Sequence, residues 1–180
     1  MHLFLQVLWF LLPSAAANLI PPIAAKLFPQ WDFPVDFGFG IYGKRIFGAH
    51  KTFRGLAAGV LVSTLTLKAQ CFVSGQCLFF QGLEIDSIFC DIWFIGPLLG
   101  GAALAGDLVK SFIKRRFDFK PGDQWIPWDQ MDWILGVVIL TYPIFKFNLM
   151  FSFSSLILGA VLSFSAKIIG YWLGINSHWI

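Results

Sequence analysis

Charged side chains are scarce in this chain: Asp, Glu, Lys and Arg make up 13% of its 180 residues, where a soluble domain carries about 25%. Hydrophobic residues reach 57% and the mean hydropathy is +0.73, which excludes a water-soluble globular fold. The strict apolar and polar alternation that a transmembrane barrel needs is missing as well. Cysteine is limited to Cys71, Cys77 and Cys90, too few and too irregularly spaced for a zinc centre; they read as buried thiols or at most one disulfide. No HExxH, nucleophile elbow or histidine and cysteine constellation occurs, so metalloprotease and triad chemistries lack their residues. Gly38, Gly40 and Gly43 spell GxGxxG, but no strand precedes them and no βαβ unit fits this loop. Lys44 follows as in a phosphate-binding loop, yet Arg45 stands where Ser or Thr would hold magnesium.

Apolar runs are what the chain has in plenty. They extend from about Leu3 to Ala25, Phe53 to Leu67 with a continuation toward Phe80, Ile92 to Val109, Trp133 to Phe145, and Leu149 to Ala166. A crossing helix takes about 20 residues, so the expected fold is an all-α integral membrane protein. It is a bundle of five transmembrane helices forming one domain over residues 1–180, with two loops at the active site. Lys44, Arg45, Lys51 and Arg54 lie between the first two spans, and Lys110, Lys114, Arg115, Arg116 and Lys120 around the third connection. The other connections are cation-poor, with Lys68, Glu84, Asp86 and Asp91 in one and Lys146 in the other. Because Lys and Arg mark the cytoplasmic side, the N-terminus is expected outside and the C-terminus inside, in a multi-pass protein of the cytoplasmic (inner) membrane. The tryptophans gather near span ends and read as interfacial belts; nothing points to nucleic acid.

The first span carries Pro13, Pro21, Pro22 and Asn18. It reads equally as a tilted, broken anchor or as a helix opened to line a cavity. Leu3 to Leu12 followed by Ala15 to Ala17 also resembles a signal peptide, but no basic residue precedes it and the run continues apolar through Leu19, Ile20 and Ile23.

Ten of the 23 charged residues are concentrated between Gly106 and Asp132. Asp107 ends an apolar run, and Lys110, Ser111 and Lys114 follow at helical spacings, so all four share one face. An ionisable residue within a span is a functional candidate, against the plainer reading of a self-neutralising Asp and Lys pair. Asp129 and Asp132 open the fourth helix, where carboxylates also serve as caps. Between Asp132 and Lys146 the helix has only about 20 Å of length, short of a core near 30 Å. The acidic end is therefore expected below the membrane surface, in a polar pocket or beside a cation. Carboxylates from two helix ends beside clusters of Lys and Arg suit metal-dependent phosphoryl transfer, and the interface suits joining a cytosolic nucleotide to a lipid phosphate.

The stretch GDLVKSFIKRR, the KPGD of Lys120 to Asp123 and the DQMD of Asp129 to Asp132 resemble the CDP-archaeol synthase family, small relatives of the phosphatidate cytidylyltransferases. PVDFG at Pro34 to Gly38, GKRIFG at Gly43 to Gly48, HKTFRG at His50 to Gly55, and Pro13, Asn18 and Pro21 extend the likeness over nearly the whole chain. The resemblance implies that Asp107, Asp129 and Asp132 bind Mg2+, and that Lys114 and Arg115 act on the phosphates. It also implies that Lys51, Thr52 and Arg54 contact CTP, with Ser111 lining the site. The reaction implied joins CTP to a lipid phosphate, with 2,3-bis-(geranylgeranyl)-sn-glycerol 1-phosphate as the family's substrate, and releases pyrophosphate. CTP, bilayer lipid and a further copy of the chain are the expected partners. Toward the C-terminus the chain departs from the family, with Ser163 and Lys167 where His and Asn are frequent, although Tyr171, Gly174 and Trp179 fit. Lys167 is expected to snorkel to the interface. Phosphatidate as substrate is the nearest alternative. A small channel, transporter or assembly factor is the alternative of a different class, opposed by polar residues that cluster at one face instead of lining a path across.

Overall fold

The computed structural model describes residues 2–76, 91–119, 123 and 125–172. Five helices carry the fold: α1 His2–Leu27, α2 Phe53–Gln76, α3 Ile92–Arg116, α4 Trp128–Phe145 and α5 Leu149–Trp172. Between α1 and α2 lies a small hairpin of β1 Gly40–Ile41 and β2 Lys44–Arg45, paired antiparallel with Gly40 opposite Arg45. Its turn residues Tyr42 and Gly43 both have positive φ, 53° and 75°, the handedness that lets a two-residue turn match strand twist.

Four of the helices, α1, α2, α3 and α5, are long and apolar enough to cross a membrane. The fifth expected span, α4, falls short of these four in length and apolar content. It has 18 residues with Asp129 in its first turn, about 27 Å of helix. Large apolar side chains such as Leu61, Leu65, Phe72, Ile139, Phe153 and Ile157 are exposed along the helix flanks, as a bilayer-facing surface requires. Trp31, Trp93 and Trp172 are exposed near helix ends, whereas Trp133 is buried in the bundle. Cys77, Cys90, Lys120, Gly174 and Trp179 lie outside the described residues.

Helix α1 runs unbroken through its three prolines and packs against all four other helices. Neither of the two cavities described below is lined by it, so the open-helix reading gives way to that of a central strut. Pro13 has no N–H for the Trp9 carbonyl one turn back. The Gln70 amide from α2 donates to that oxygen instead, at 2.7 Å. Ser14 similarly donates to the Leu99 carbonyl of α3 at 3.2 Å.

The helices approach closely where side chains are smallest, as membrane bundles do in the absence of a hydrophobic drive between helices. A Cβ placed on Gly96 would lie 2.6 Å from Thr64 Cα, and one on Gly100 2.7 Å from Ser63 Cβ, fixing α3 on α2. Between α3 and α4 the contact is backbone to backbone: a Cβ on Gly106 would meet the Asp132 carbonyl oxygen at 2.2 Å, and one on Gly136 the Ala102 oxygen at 2.3 Å. At the other end of the bundle Phe10 packs edge-on against Phe145, Phe147 and Phe151 with ring centroids 5.3, 5.0 and 5.6 Å away. The charged end is thus set by chain direction: α3 finishes there, α4 begins there, and both cation-rich loops meet there.

Candidate active site

The Gly106 and Gly136 contact has a direct chemical result, because Asp107 follows the first glycine and Asp132 lies one turn before the second. Asp107, Lys110, Ser111 and Lys114 do share one face of α3, turned toward the start of α4. There the Lys110 ammonium lies 3.2 Å from Asp107 Oδ1, 3.4 Å from Asp129 Oδ1 and 2.5 Å from Asp132 Oδ2. Three carboxylates from two helices therefore share one cation. Lys51 pairs with the other oxygen of Asp107. Lys114 lies 3.1 Å from both oxygens of Asp129 and donates to the Asp123 carbonyl at 2.5 Å. The three acidic side chains are 16%, 9% and 4% exposed in chain order, and such burial of charge is sustainable only with cations at hand.

Two of the carboxylates are also tied to backbone. Asp129 accepts the Trp125 N–H at 2.7 Å, anchoring the preceding loop, and Asp132 accepts the Trp133 N–H at 2.7 Å. Ser111 donates to the Asp107 carbonyl at 2.8 Å. Ser163 of α5 braces α4, accepting the Trp133 indole N–H at 2.6 Å and donating to the Gln130 carbonyl at 3.0 Å.

Two cavities meet at this cluster. One is a polar cleft of about 330 Å³ whose walls include His50, Lys51, Asp107, Ser111, Arg115 and Lys167. The other is an apolar groove of about 450 Å³ between α3 and α4, walled by Val109, Ile113, Trp125, Leu135, Ile139 and Leu140. Lys110 lines both, while Asp129 faces the cleft and Asp132 the groove. Lys167, expected to snorkel, reaches the cleft instead because α5 brings its C-terminal half back to the charged end.

Thr52 and Arg54, expected at the nucleotide, stand outside the cleft walls. Thr52 Oγ1 accepts the Gly55 N–H at 3.3 Å at the start of α2, a capping role. The Arg54 guanidinium donates to the Phe28 carbonyl and lies 3.3 Å from Asp32, pinning the segment after α1. Lys114 is buried, its ammonium engaged by Asp129 and Asp123. Arg115 lines the cleft and donates to the Phe119 carbonyl at 2.8 Å.

Two residues were not singled out by sequence reasoning. Lys110 was placed on the right face and weighed only as a partner neutralising Asp107, a pair that is present, and not as a cation shared with Asp129 and Asp132. Asp36 organises the first basic loop: its oxygens accept the N–H groups of Gly38, Phe47 and Gly48 at 3.0, 3.2 and 3.2 Å and pair with Arg45 at 2.7 Å. Burial pushes the Asp36 carboxyl up, but those three N–H groups and the guanidinium outweigh it and hold the group below the ordinary carboxylate value. The cleft wall from Phe47 to Lys51 is held by this hub and by the Val35 N–H donating to the Lys51 carbonyl at 2.8 Å.

Among the described residues no three His, Cys, Asp or Glu side chains form a ready-made metal cage. The donor set nevertheless fits a hard divalent cation: all the candidate ligands are carboxylate oxygens. They already converge on a single point of positive charge, where the Lys110 ammonium stands in for an ion.

The chain is similar to known proteins over most of its length. The family model of CarS-like CDP-archaeol synthase matches residues 1–180. A CDP-archaeol synthase of Methanococcus maripaludis is 32% identical over 183 residues, covering 98% of this chain and 97% of the relative. That of Pyrococcus furiosus is 33% identical, covering 80% and 78%. A solved structure described as an intramembrane enzyme for archaeal membrane lipid biosynthesis superposes with a TM-score of 0.73 at 25% identity, covering 89% of this chain and 92% of that one.

Proposed function

Because the chain belongs to the CDP-archaeol synthase family, we propose that residues 1–180 act as one membrane-embedded unit that joins the cytidylyl group of CTP to a lipid phosphate. The lipid substrate is 2,3-bis-(geranylgeranyl)-sn-glycerol 1-phosphate. The observation that carries this reading is the meeting of cleft and groove at one cluster. A polar space lined by cations suits a triphosphate, and an apolar space opening between α3 and α4 suits isoprenoid chains. The carboxylate cluster lies where the two substrates' phosphates would meet.

In the reaction an oxygen of the lipid phosphate forms a bond to the α-phosphorus of CTP as the bond to the β-phosphate breaks, releasing pyrophosphate. The chain needs no nucleophile of its own. Lys51, Arg115 and Lys167 face the cleft and neutralise charge on the triphosphate and the departing pyrophosphate. Ser111 lines the site, Lys114 holds Asp129 in place, and Asp36 holds the loop that carries Lys51. Thr52 and Arg54 serve the nucleotide indirectly, by fixing the start of α2. Asp107, Asp129 and Asp132 would hold magnesium, which supplies Lewis-acid polarisation of phosphate oxygens. With basic loops on the cytoplasmic side, the N-terminus lies outside, the C-terminus inside, and CTP arrives from the cytosol.

The test is pyrophosphate release by purified protein given CTP, magnesium and one lipid phosphate at a time. Release with the isoprenoid ether lipid and little with phosphatidate is expected. Preference for phosphatidate overturns the lipid assignment, and no magnesium-dependent release with either overturns the reaction. Asp107→Asn, Asp129→Asn and Asp132→Asn should each lower turnover by about a hundredfold or more in protein that stays folded in detergent; full activity in all three removes the metal assignment.

A further inference from the structure

We propose that Lys110 is a built-in substitute for the divalent cation: its ammonium holds the three-carboxylate cluster together before metal arrives and must swing out for metal to bind. The inference rests on the metal assignment above.

Among the described residues Lys110 is the one cation whose ammonium lies within 3.4 Å of all three carboxylates. Lys51 serves Asp107 alone among them and Lys114 serves Asp129 alone. Asp132 depends on Lys110 most: its other described partner is the N–H of the adjacent Trp133, and its side chain is 4% exposed. Without an ammonium at that point, three buried negative charges would face one another across a few ångströms, a strongly unfavourable arrangement. A divalent ion needs carboxylate oxygens at about 2.0–2.1 Å if it is magnesium. An ammonium already drawn between the same oxygens leaves no room for it, and two cations repel. The two occupants are therefore mutually exclusive.

The surroundings give Lys110 somewhere to go. Its flexible four-carbon stem lines both the polar cleft and the apolar groove. A triphosphate in the cleft offers new anionic partners, so nucleotide draws the ammonium out as metal takes its place. Metal binding is thus weakened when nucleotide is absent and restored when it is present. If the ammonium holds the cluster for nine-tenths of the time, the apparent metal affinity is lowered about tenfold.

The experiment measures Mn2+ binding to the detergent-purified full chain without nucleotide, from the EPR signal of free Mn2+. Lys110→Met, neutral and of similar length, is expected to bind Mn2+ about tenfold more tightly than wild type, and Asp132→Asn in that background to lose the gain. Affinity that is unchanged or lower in Lys110→Met overturns the proposal. Should Lys110→Met fail to fold without metal, acetylation of wild-type Lys110 followed by mass spectrometry serves instead. Labelling rises severalfold on adding saturating Mn2+ alone if the ammonium is expelled; labelling that is constant or lower overturns the proposal. Failure of the enzymatic reading shows separately, as wild-type protein that releases no pyrophosphate from CTP and lipid phosphate.

Discussion

Replacing Gly136 with alanine should disable the enzyme without touching a charged residue. The added Cβ would lie 2.3 Å from the Ala102 carbonyl oxygen and 2.8 Å from the Gly106 backbone, where ordinary contact begins at 3.4 Å. All of these atoms are backbone, so no side chain can turn aside and α3 and α4 must part by about 1 Å. Overpacking of this kind costs about 1–3 kcal/mol, tolerable in a bundle whose other helix pairs stay packed. Catalysis is less tolerant: a displacement of about 1 Å in reacting groups can cost about a hundredfold, and the helices being separated are the ones that supply Asp107 on one side and Asp129 and Asp132 on the other. Pyrophosphate release should fall by about two orders of magnitude while the detergent melting curve stays cooperative. Gly101→Ala is the control, since a Cβ there meets nothing within 4 Å and alanine favours helix by up to about 1 kcal/mol. Wild-type turnover in Gly136→Ala would refute the claim that this contact sets the carboxylate spacing.

Lys51→Ala should raise the KM for CTP about tenfold or more, whereas Arg54→Ala, whose partners are Phe28 and Asp32, should chiefly lower the melting temperature; equal effects on KM would erase the distinction. Asp36 has a depressed pKa in the folded state, so its contribution is fully present above the ordinary carboxylate pKa of about 4 and is lost as pH falls through the lower folded value. Asp36→Asn should therefore be less stable at neutral pH and show a flatter decline in acid; an acid slope identical to wild type would show that another group governs it. Gln70→Ala should cost about 1–2 kcal/mol by removing the donor to the Trp9 carbonyl. Adding Pro13→Ala should recover most of that loss by restoring a main-chain donor, and a double-mutant cycle with no coupling would refute the compensation.

What was legible in the sequence had a local period or a bulk composition behind it. The apolar runs gave five helices because a bilayer demands continuous apolar length, and the 3.6-residue repeat put Asp107, Lys110, Ser111 and Lys114 on one face. Asp129 and Asp132 were visible as a polar start to an apolar helix. The short reach of α4, noticed from Asp132 to Lys146, is what separates it from the four longer apolar helices. Illegible were contacts between residues far apart in the chain. Nothing local marks Gly106 and Gly136 as partners, or tells that Gln70 answers the proline four residues after Trp9. That Arg54 stands outside the cleft walls was illegible for the same reason: a basic loop advertises cations but not which of them turn inward. Lys167 was read as an interfacial lysine because its exposure depends on where α5 lies, which one helix's sequence does not contain.

The cations of the two basic loops also build the site's frame. Arg116 at the end of α3 donates to the carbonyls of Ile41 and Arg45, both in the hairpin, at 2.8 and 2.7 Å. Lys44 crosses back to Asp118 at 2.5 Å, and Arg45 turns inward to Asp36. These contacts bind the hairpin to the end of α3, so the loop carrying Lys51 is held over the helix carrying Asp107. Exposed ion pairs are worth little singly, but the guanidinium contacts to backbone carbonyls fix orientation as well as proximity. Of the first loop's cations, only Lys51 pairs with the carboxylate cluster; Lys44, Arg45 and Arg54 are committed to structure. Cations that a membrane protein must keep on one side for its topology are thereby also the clasp that closes one wall of the cleft, which accounts for a charge distribution so lopsided in a chain with so little charge.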